Sequence, residues 1–385
     1  MNKLKVGVIG YGDRISYMAD LMCQVFPGVS ISAITDINEA RVMERLAKNS
    51  IDSSNIKFYA DADEMMNKEE LDCVLIGTRC SLHTSMAIKV LKRDIPLFLE
   101  KPVSTNDTDL IALQQASKLS KSPVVVSFPL RVTPLAQLAK EIIESGKIGT
   151  VENAIAFNHV PYGGVYYQSW YRDENETQGL FLQKATHDFD CLNYLVGKKP
   201  VNICAMSSKQ IFKGSKAAGL HCIDCDEYET CLESSHTIKT HGGIVVHGGQ
   251  CCFSVDTGNE DSGSAIILYE DGMHVTYNQN FFARNKAAAR GAKVFGYNGT
   301  LEFDWFKDEL NVFMHHTPRV ESYKVDTEMQ SHGGGDEVLA KNFIDILRGK
   351  ETISVAPIEA GILSALMCLK AKESAQTMTF QKILL

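Results

Sequence analysis

Along the first third of the chain, short apolar runs alternate with segments whose apolar positions recur every three or four residues. Runs at 5–9, 30–35, 57–59, 73–77, 97–99 and 124–127 predict strands, and helical spacing at 42–47, 85–91 and 110–119 predicts helices between them. Strands that alternate with helices build βαβ units and a parallel sheet, so this part reads as a doubly wound α/β domain. Ligands of such sheets sit beyond the carboxyl ends of the strands, which points to the loops after residues 9, 35, 77, 99 and 127. A helix predicted over 134–145, closed by Gly146-Lys-Ile-Gly149, leads into different material. Alternating runs at 152–158, 265–269, 274–278, 292–297 and 300–303 predict antiparallel strands, with turn signals such as Glu270-Asp-Gly272 and Tyr297-Asn-Gly299. Helices over 336–347 and 357–374 follow. The second half thus reads as α+β with one large antiparallel sheet, and the 385 residues divide into domains at 1–128 and 129–385.

Composition changes this picture little. Hydrophobic residues at 44% and charged residues at 22% describe an ordinary globular chain, and a formal net charge of -8 gives no electrostatic reason to bind nucleic acid or an anionic membrane. The apolar runs are shorter than the roughly 20 residues a bilayer crossing requires. Strand-like sequence starts at Leu4, which leaves no room for an export signal, so the expected compartment is the cytoplasm. Eleven cysteines in such a chain are expected as reduced thiols.

The first strand breaks into Gly10-x-Gly12. A glycine at 10 permits a sharp turn, and one at 12 lets a pyrophosphate approach the main chain at the positive end of the next helix. Ile15 stands where the full fingerprint has a third glycine, which predicts a looser helix–strand approach. Asp36 ends the second strand, placed for a carboxylate that binds ribose hydroxyls. A plain glycine turn followed by a helix-capping aspartate explains the same residues. The dinucleotide reading gives NAD, and because Ile37-Asn38-Glu39 brings no arginine to a 2′-phosphate, NAD is preferred over NADP.

Glu100-Lys101-Pro102 follows the Leu97-Phe-Leu strand directly, which puts Lys101 at the carboxyl edge of the sheet. Together with Gly10-x-Gly12, Asp36, Thr78-Arg-Cys-Ser-Leu-His83, Arg131 and the stretch from Gly179 to His187, it resembles the glucose-fructose oxidoreductase and inositol dehydrogenase (Gfo/Idh/MocA) family over nearly the whole chain. The resemblance implies a Rossmann domain followed by an open-faced antiparallel sheet, and homodimers or homotetramers often joined through that sheet. It implies cofactor contacts at Gly10, Tyr11, Gly12, Asp13, Arg14, Asp36, Thr78, His83, Glu100 and Lys101. It also makes Lys101 the cation beside the reacting carbinol and His187 the general base, a role that an unperturbed pKa of about 6.5 suits. Substrate contacts are expected from Arg131, Trp170, Arg172, Gln183, Lys184, His187 and His332. The family's dehydrogenases commonly carry Asp four residues before the histidine, where this chain has Gln183, an amide that hydrogen-bonds a hydroxyl without taking its proton. In His332-Gly-Gly-Gly-Asp336 the glycines either turn amides toward a ligand or form a loop ending in a helix cap. Of His315 and His316, at most one faces a cleft, because neighbours on a strand point to opposite faces.

The resulting reading is an NAD-dependent oxidoreductase acting on a secondary alcohol of a sugar, sugar acid or cyclitol. Two rivals remain open at this level: an NAD-dependent glycosidase working by transient oxidation and elimination, and a nicotinamide-bound sensor without turnover. A separate feature is Cys222-x-x-Cys225 with Cys231 in a polar, acidic segment. Three thiolates with His221 or His236 complete a tetrahedral zinc set, and ordinary loop cysteines are the alternative. Cys251-Cys252 reads as strand packing.

Overall fold

A computed structural model of the protein describes residues 3–241, 248–326 and 331–385. Its packing divides the chain into two units, Met1–Gln137 with Thr327–Leu366 and Leu385, and Leu138–Asp326 with Met367–Leu384. The 327–366 stretch thus returns to the first unit, a return that a boundary at 128/129 does not foresee. Two contacts hold it there: Val126 N donates to Ala356 O at 2.8 Å, and Gly335 lies so close to Pro129 that a Cβ would stand 2.1 Å from its carbonyl oxygen.

The first unit is a parallel six-stranded sheet in the order β3-β2-β1-β4-β5-β6. Its strands are β1 (Leu4–Ile9), β2 (Val29–Thr35), β3 (Lys57–Tyr59), β4 (Cys73–Ile76), β5 (Leu97–Leu99) and β6 (Val124–Val126), joined through α1 (Asp13–Val25), α2 (Glu39–Lys48), α3 (Ala62–Lys68), α4 (His83–Leu91) and α5 (Asp107–Leu119). Every residue of β4, β5 and β6 is buried, as a sheet covered on both faces requires. Asn38, Asp61 and Asn106 start α2, α3 and α5 by accepting from the amides of Arg41, Glu64 and Asp109. The strand order reverses between β1 and β4, which marks where a ligand crevice opens.

After α6 (Pro134–Glu144), the second unit holds a nine-stranded sheet in the order β14-β13-β12-β11-β7-β10-β9-β8-β15. The strands are β7 (Val151–His159), β8 (Pro200–Ser208), β9 (Ser262–Tyr269), β10 (His274–Asn280), β11 (Ala289–Gly296), β12 (Gly299–Asp304), β13 (Glu309–Met314), β14 (Val320–Lys324) and β15 (Gln381–Lys382). One pairing, β7 with β10, is parallel, so the sheet is mixed where the sequence predicts an antiparallel one. The reason is the long connection that leaves β7. Short helices α7 (Val165–Gln168) and α8 (Glu174–Thr177) lead to a π-helical turn, Phe181–Ala185, and to α9 (Thr186–Val196), and this crossover brings the chain back for parallel addition. Helix α9 covers one face of the sheet, where Tyr269 Oη donates to Asn193 Oδ1 at 2.9 Å. A segment with α10 (Ser235–Thr240) lies between β8 and β9, and its Phe212 and Cys252 pack on Val160, Tyr166, Tyr167 and Phe281. Helices α11 (Gly335–Leu347) and α12 (Ile358–Thr377) lie between β14 and β15 in the chain, and Ser374 Oγ of α12 accepts from Ala205 N at 2.9 Å.

Candidate active site

In the first unit, the turn between β1 and α1 is shaped by absent side chains. Gly10 has φ +77°, and a Cβ there would stand 2.8 Å from Thr78 Cα. Gly12 opens α1 with no side-chain cap, so the amides of a 13-residue helix start are available to an anion. Ile15 does not hold the helix away from the sheet. A Cβ on Gly77, at the end of β4, would stand 2.3 Å from Ile15 Cβ, so the close approach usually permitted by a third glycine is permitted here by the neighbouring strand. Asp36 is fixed at the end of β2 by Tyr11 N at 2.7 Å and Asn38 N at 2.9 Å. A cradle that a Cβ would fill, a free helix start and an oriented carboxylate fit a dinucleotide.

Lys101 follows β5, and its neighbours are fastened on both sides. His83 Nδ1 lies 2.7 Å from Pro102 O and Nε2 3.2 Å from Thr78 O, while Thr84 Oγ1 donates to Val103 O at 2.9 Å. Burial lowers the His83 pKa against the pull of these carbonyls, so the ring is neutral at pH 7 and donates to the nearer one. On the other side Glu100 N donates to Ile76 O at 3.0 Å, and Arg14 Nε reaches Glu100 Oε1 at 3.1 Å. The same guanidinium forks onto Asp336 at the start of α11, with Nη1–Oδ2 at 2.8 Å, and reaches Ser127 Oγ at 3.2 Å. His332, at φ +47°, places Nδ1 2.9 Å from Asp336 Oδ2. Burial alone raises the Asp336 carboxyl, but the Arg14 bonds and charge, helped by His332, hold it well below the usual carboxylate range.

In the second unit, His187 lies in the first turn of α9, and the π-turn before it is capped by a half-buried carboxylate. Glu260 Oε1 accepts from Leu180 N at 2.8 Å and Phe181 N at 3.0 Å, and its Oε2 would lie 3.0 Å from a Cβ on Gly179, which has φ +94°. The neighbouring Asp188 is held by Asn158 Nδ2 at 2.8 Å, Tyr277 Oη at 2.7 Å and Arg290 Nε at 2.7 Å, which anchors the start of α9 to the sheet. Lys184 is buried, with its ammonium against Tyr162 Oη.

Residues 4–128 match the oxidoreductase family with an NAD-binding Rossmann fold, and residues 136–302 match the GFO/IDH/MocA C-terminal domain. The chain belongs to the GFO/IDH/MocA oxidoreductase family. Among its relatives, YteT of Bacillus subtilis (strain 168) is 26% identical over 342 residues, 79% of each chain. The myo-inositol 2-dehydrogenase of Thermotoga maritima is 23% identical over 313 residues, 81% of this chain and 87% of its own. A levoglucosan dehydrogenase solved with NADH and levoglucosan shares the fold at TM-score 0.78 and 18% identity, over 100% of both chains.

Several of the residues expected at the site also have partners within their own unit. Arg14 pairs with Glu100 and with Asp336. Tyr11 buries its ring, and its Oη donates to Asp20 Oδ1 at 2.7 Å, so only its backbone faces the turn. Asp13 pairs with Arg45, whose Nη1 also donates to Tyr11 O at 2.7 Å. Thr78 Oγ1 donates to Arg79 O at 3.1 Å. Arg131 is buried and donates to Val355 O at 3.0 Å. Arg172, equally buried, pairs with Asp256 and Ser254, while Trp170 stacks on Tyr171 at 3.9 Å. Gln183 donates its amide to Thr177 O at 3.2 Å. His332 lies in the first unit, on Asp336. His315 and His316 both turn toward Tyr297 O, at 3.1 and 3.2 Å.

The zinc expectation fails. Among the described residues no group of three or more His, Cys, Asp or Glu side chains is gathered to hold a metal. Cys222 Sγ faces Gln250 O and Cys225 Sγ faces Asp226 Oδ1, each at 3.5 Å, and burial pushes the Cys222 thiol up to about 11, which opposes the thiolate a metal needs. Cys231 is raised in the same way. Cys251 and Cys252 are buried as expected of packing residues, in a loop and not a strand. No described helix is long and apolar enough to cross a membrane.

Proposed function

We propose that the protein is an NAD-dependent dehydrogenase of a sugar, sugar acid or cyclitol, oxidising a secondary alcohol or reducing the matching ketone. The observation that carries the reading is the fastening of Lys101 at the carboxyl end of β5, with His83 bound to Pro102 O on one side and Arg14 bound to Glu100 on the other. With both neighbours held, the backbone from which the Lys101 side chain starts is fixed at the strand end, which supports a positioned charge. The relatives named inositol and levoglucosan dehydrogenase support the proposed substrate class.

In this reading Lys101 hydrogen-bonds the substrate oxygen and stabilises the negative charge that develops there. His187 takes the hydroxyl proton in oxidation and returns it in reduction. The turn at Gly10 and Gly12 with the start of α1 holds the pyrophosphate, and Asp36 holds the ribose hydroxyls. When bound, the nicotinamide supplies the hydride acceptor or donor. Asp36 also repels a 2′-phosphate, and Arg45 is committed to Asp13 and Tyr11 O, which supports NAD over NADP. A homodimer or homotetramer belongs to the same reading.

Incubation of the protein with NAD+ and a panel of sugars, sugar acids and cyclitols tests it. Formation of NADH with at least one of them is expected, and Lys101→Ala and His187→Ala each lower turnover by at least about 100-fold while NADH still binds. Unchanged turnover in Lys101→Ala overturns the mechanism.

A further inference from the structure

Tyr11 stands between the two glycines of the β1–α1 turn and is held at three of its polar atoms, all within the first unit. Its N–H donates to Asp36 Oδ2, its carbonyl accepts from Arg45 Nη1 and its phenol donates to Asp20 Oδ1, each at 2.7 Å. The tyrosine is 1% exposed and Asp20, in the middle of α1, is 6% exposed. Burial pushes the Tyr11 phenol up, and its bond to Asp20 adds to this, so the phenol keeps its proton and is the donor. The second oxygen of Asp20 accepts from Asn49 Nδ2 at 2.6 Å, and Asn49, just past α2, donates its own N–H to Arg45 O at 3.0 Å. One carboxylate thus joins the turn, α1 and the end of α2. A buried carboxylate is costly where an apolar side chain of similar size would pack, which points to what Asp20 holds as its use. What it holds is the residue whose N–H, together with that of Asn38 on Oδ1, sets the plane of the Asp36 carboxylate. Each oxygen of an ionised carboxylate can accept a further bond, so the vicinal hydroxyls of a ribose meet a pair of acceptors already oriented.

We propose that Asp20 is a positioning residue for the cofactor: through the Tyr11 phenol it fixes the N–H that orients Asp36, and it thereby strengthens recognition of the adenosine ribose without touching it. This rests on the reading in which Asp36 holds the ribose hydroxyls. It adds that the selectivity of Asp36 depends on a carboxylate and an amide, Asp20 and Asn49, which lie outside the fingerprint itself.

The test is calorimetric titration of wild type, Tyr11→Phe, Asp20→Asn, Asn49→Ala and the exchange Asp20→Asn with Asn49→Asp against ADP and 2′-deoxy-ADP at pH 8, with thermal midpoints measured alongside. Wild type is expected to bind ADP more tightly than 2′-deoxy-ADP. Tyr11→Phe and Asp20→Asn should each weaken ADP roughly three- to tenfold, the fold-change of one lost hydrogen bond, while 2′-deoxy-ADP stays within about twofold. The exchange should restore the wild-type ratio, since the amide at position 20 then accepts from the phenol and donates to the carboxylate at position 49. A merely structural role lowers the thermal midpoint and weakens both nucleotides alike, so equal weakening, or a wild-type ratio in Tyr11→Phe and Asp20→Asn, overturns the proposal. If a change inside the buried pair prevents folding, Asn49→Ala removes only the outer bond, and a wild-type ratio there overturns it equally. Wild type that binds both nucleotides with the same affinity, or neither, overturns the ribose reading of Asp36 and this inference with it.

Discussion

The side chains most legible in the sequence are those whose chemistry depends on backbone geometry. Gly10, Gly12 and Asp36 sit where the motif logic puts them, because a turn that excludes Cβ atoms and a carboxylate at a strand end are local demands. Charged side chains were harder to read, since a sequence shows a charge and not its partner; Arg131 and Arg172 have the right type for a substrate clamp, yet each is buried on Val355 O or Asp256. At this scale Asp36 gives one prediction. Fluorescence titration should show NADH bound at least tenfold more tightly than NADPH, about 1.4 kcal/mol, and Asp36→Ala should bring the two within about threefold; tighter NADPH binding to wild type sinks the assignment. His83 gives another. Burial lowers its pKa in the folded protein, whereas in the unfolded chain the ring takes a proton near pH 6.5. Below about pH 6.5 the unfolded state therefore binds more protons, and this contribution to stability is lost as pH falls through the folded pKa. Thermal midpoints of wild type should drop between about pH 7 and pH 5 more steeply than those of His83→Asn, and parallel curves refute the role.

Among the elements, the patterns mark the six parallel strands to within a residue, because burial of both sheet faces leaves continuous apolar runs, whereas the helical spacing stops up to three residues short at α2, α5 and α12 and sets no bounds for α1 or α9. The same patterns miss β14, whose Val-Glu-Ser-Tyr-Lys carries no apolar alternation, and the π-turn ahead of α9, which depends on Glu260 from a distant strand edge. They also miss that α11 is tied to the β1–α1 turn. That tie is Arg14, which joins the start of α1, the end of β5 through Glu100 and the start of α11 through Asp336. Removing one partner from a buried ion pair leaves the others uncompensated, so Arg14→Met should cost about 3 kcal/mol at neutral pH. The sign with pH follows from Asp336. Its folded pKa is depressed, so its contribution is present above the unfolded value of about 3.9 and is lost as pH falls below it. Chemical denaturation should therefore show a wild-type advantage over Arg14→Met that is largest near neutrality and shrinks below about pH 4. A constant difference across that range would assign the loss to packing instead of charge.

At the scale of the whole molecule, the nine-stranded sheet has helix α9 on one face, and part of the opposite face, along β9, is exposed among the described residues. Along β9 the exposed positions are Ser264, Ile266 and Leu268, alternating with buried Ala265, Ile267 and Tyr269, and the register sets Ile266 level with Thr276 of β10 and, one strand further, Ile155 of β7. Met206 of β8 adds to the same exposed set at 60%. An apolar surface built by strict alternation is specified rather than accidental, because a one-residue register slip would turn it inward, and contiguous patches of this kind on soluble proteins mark association sites. Closed two-fold symmetry would lay this face against its copy and bury the same residues from both sides. The protein should therefore migrate in light scattering at a multiple of its 42.6 kDa chain mass. Ile266→Glu places a charge at the centre of the face, opposite the same charge on the partner, and should shift the population to the single-chain mass without altering the circular dichroism spectrum. Ile37→Glu, a change at a fully exposed residue of the first unit, is the control that should leave the mass unchanged. A wild-type protein that remains at the single-chain mass at all concentrations, or an Ile266→Glu protein that assembles as wild type does, would remove the sheet face from the account of assembly.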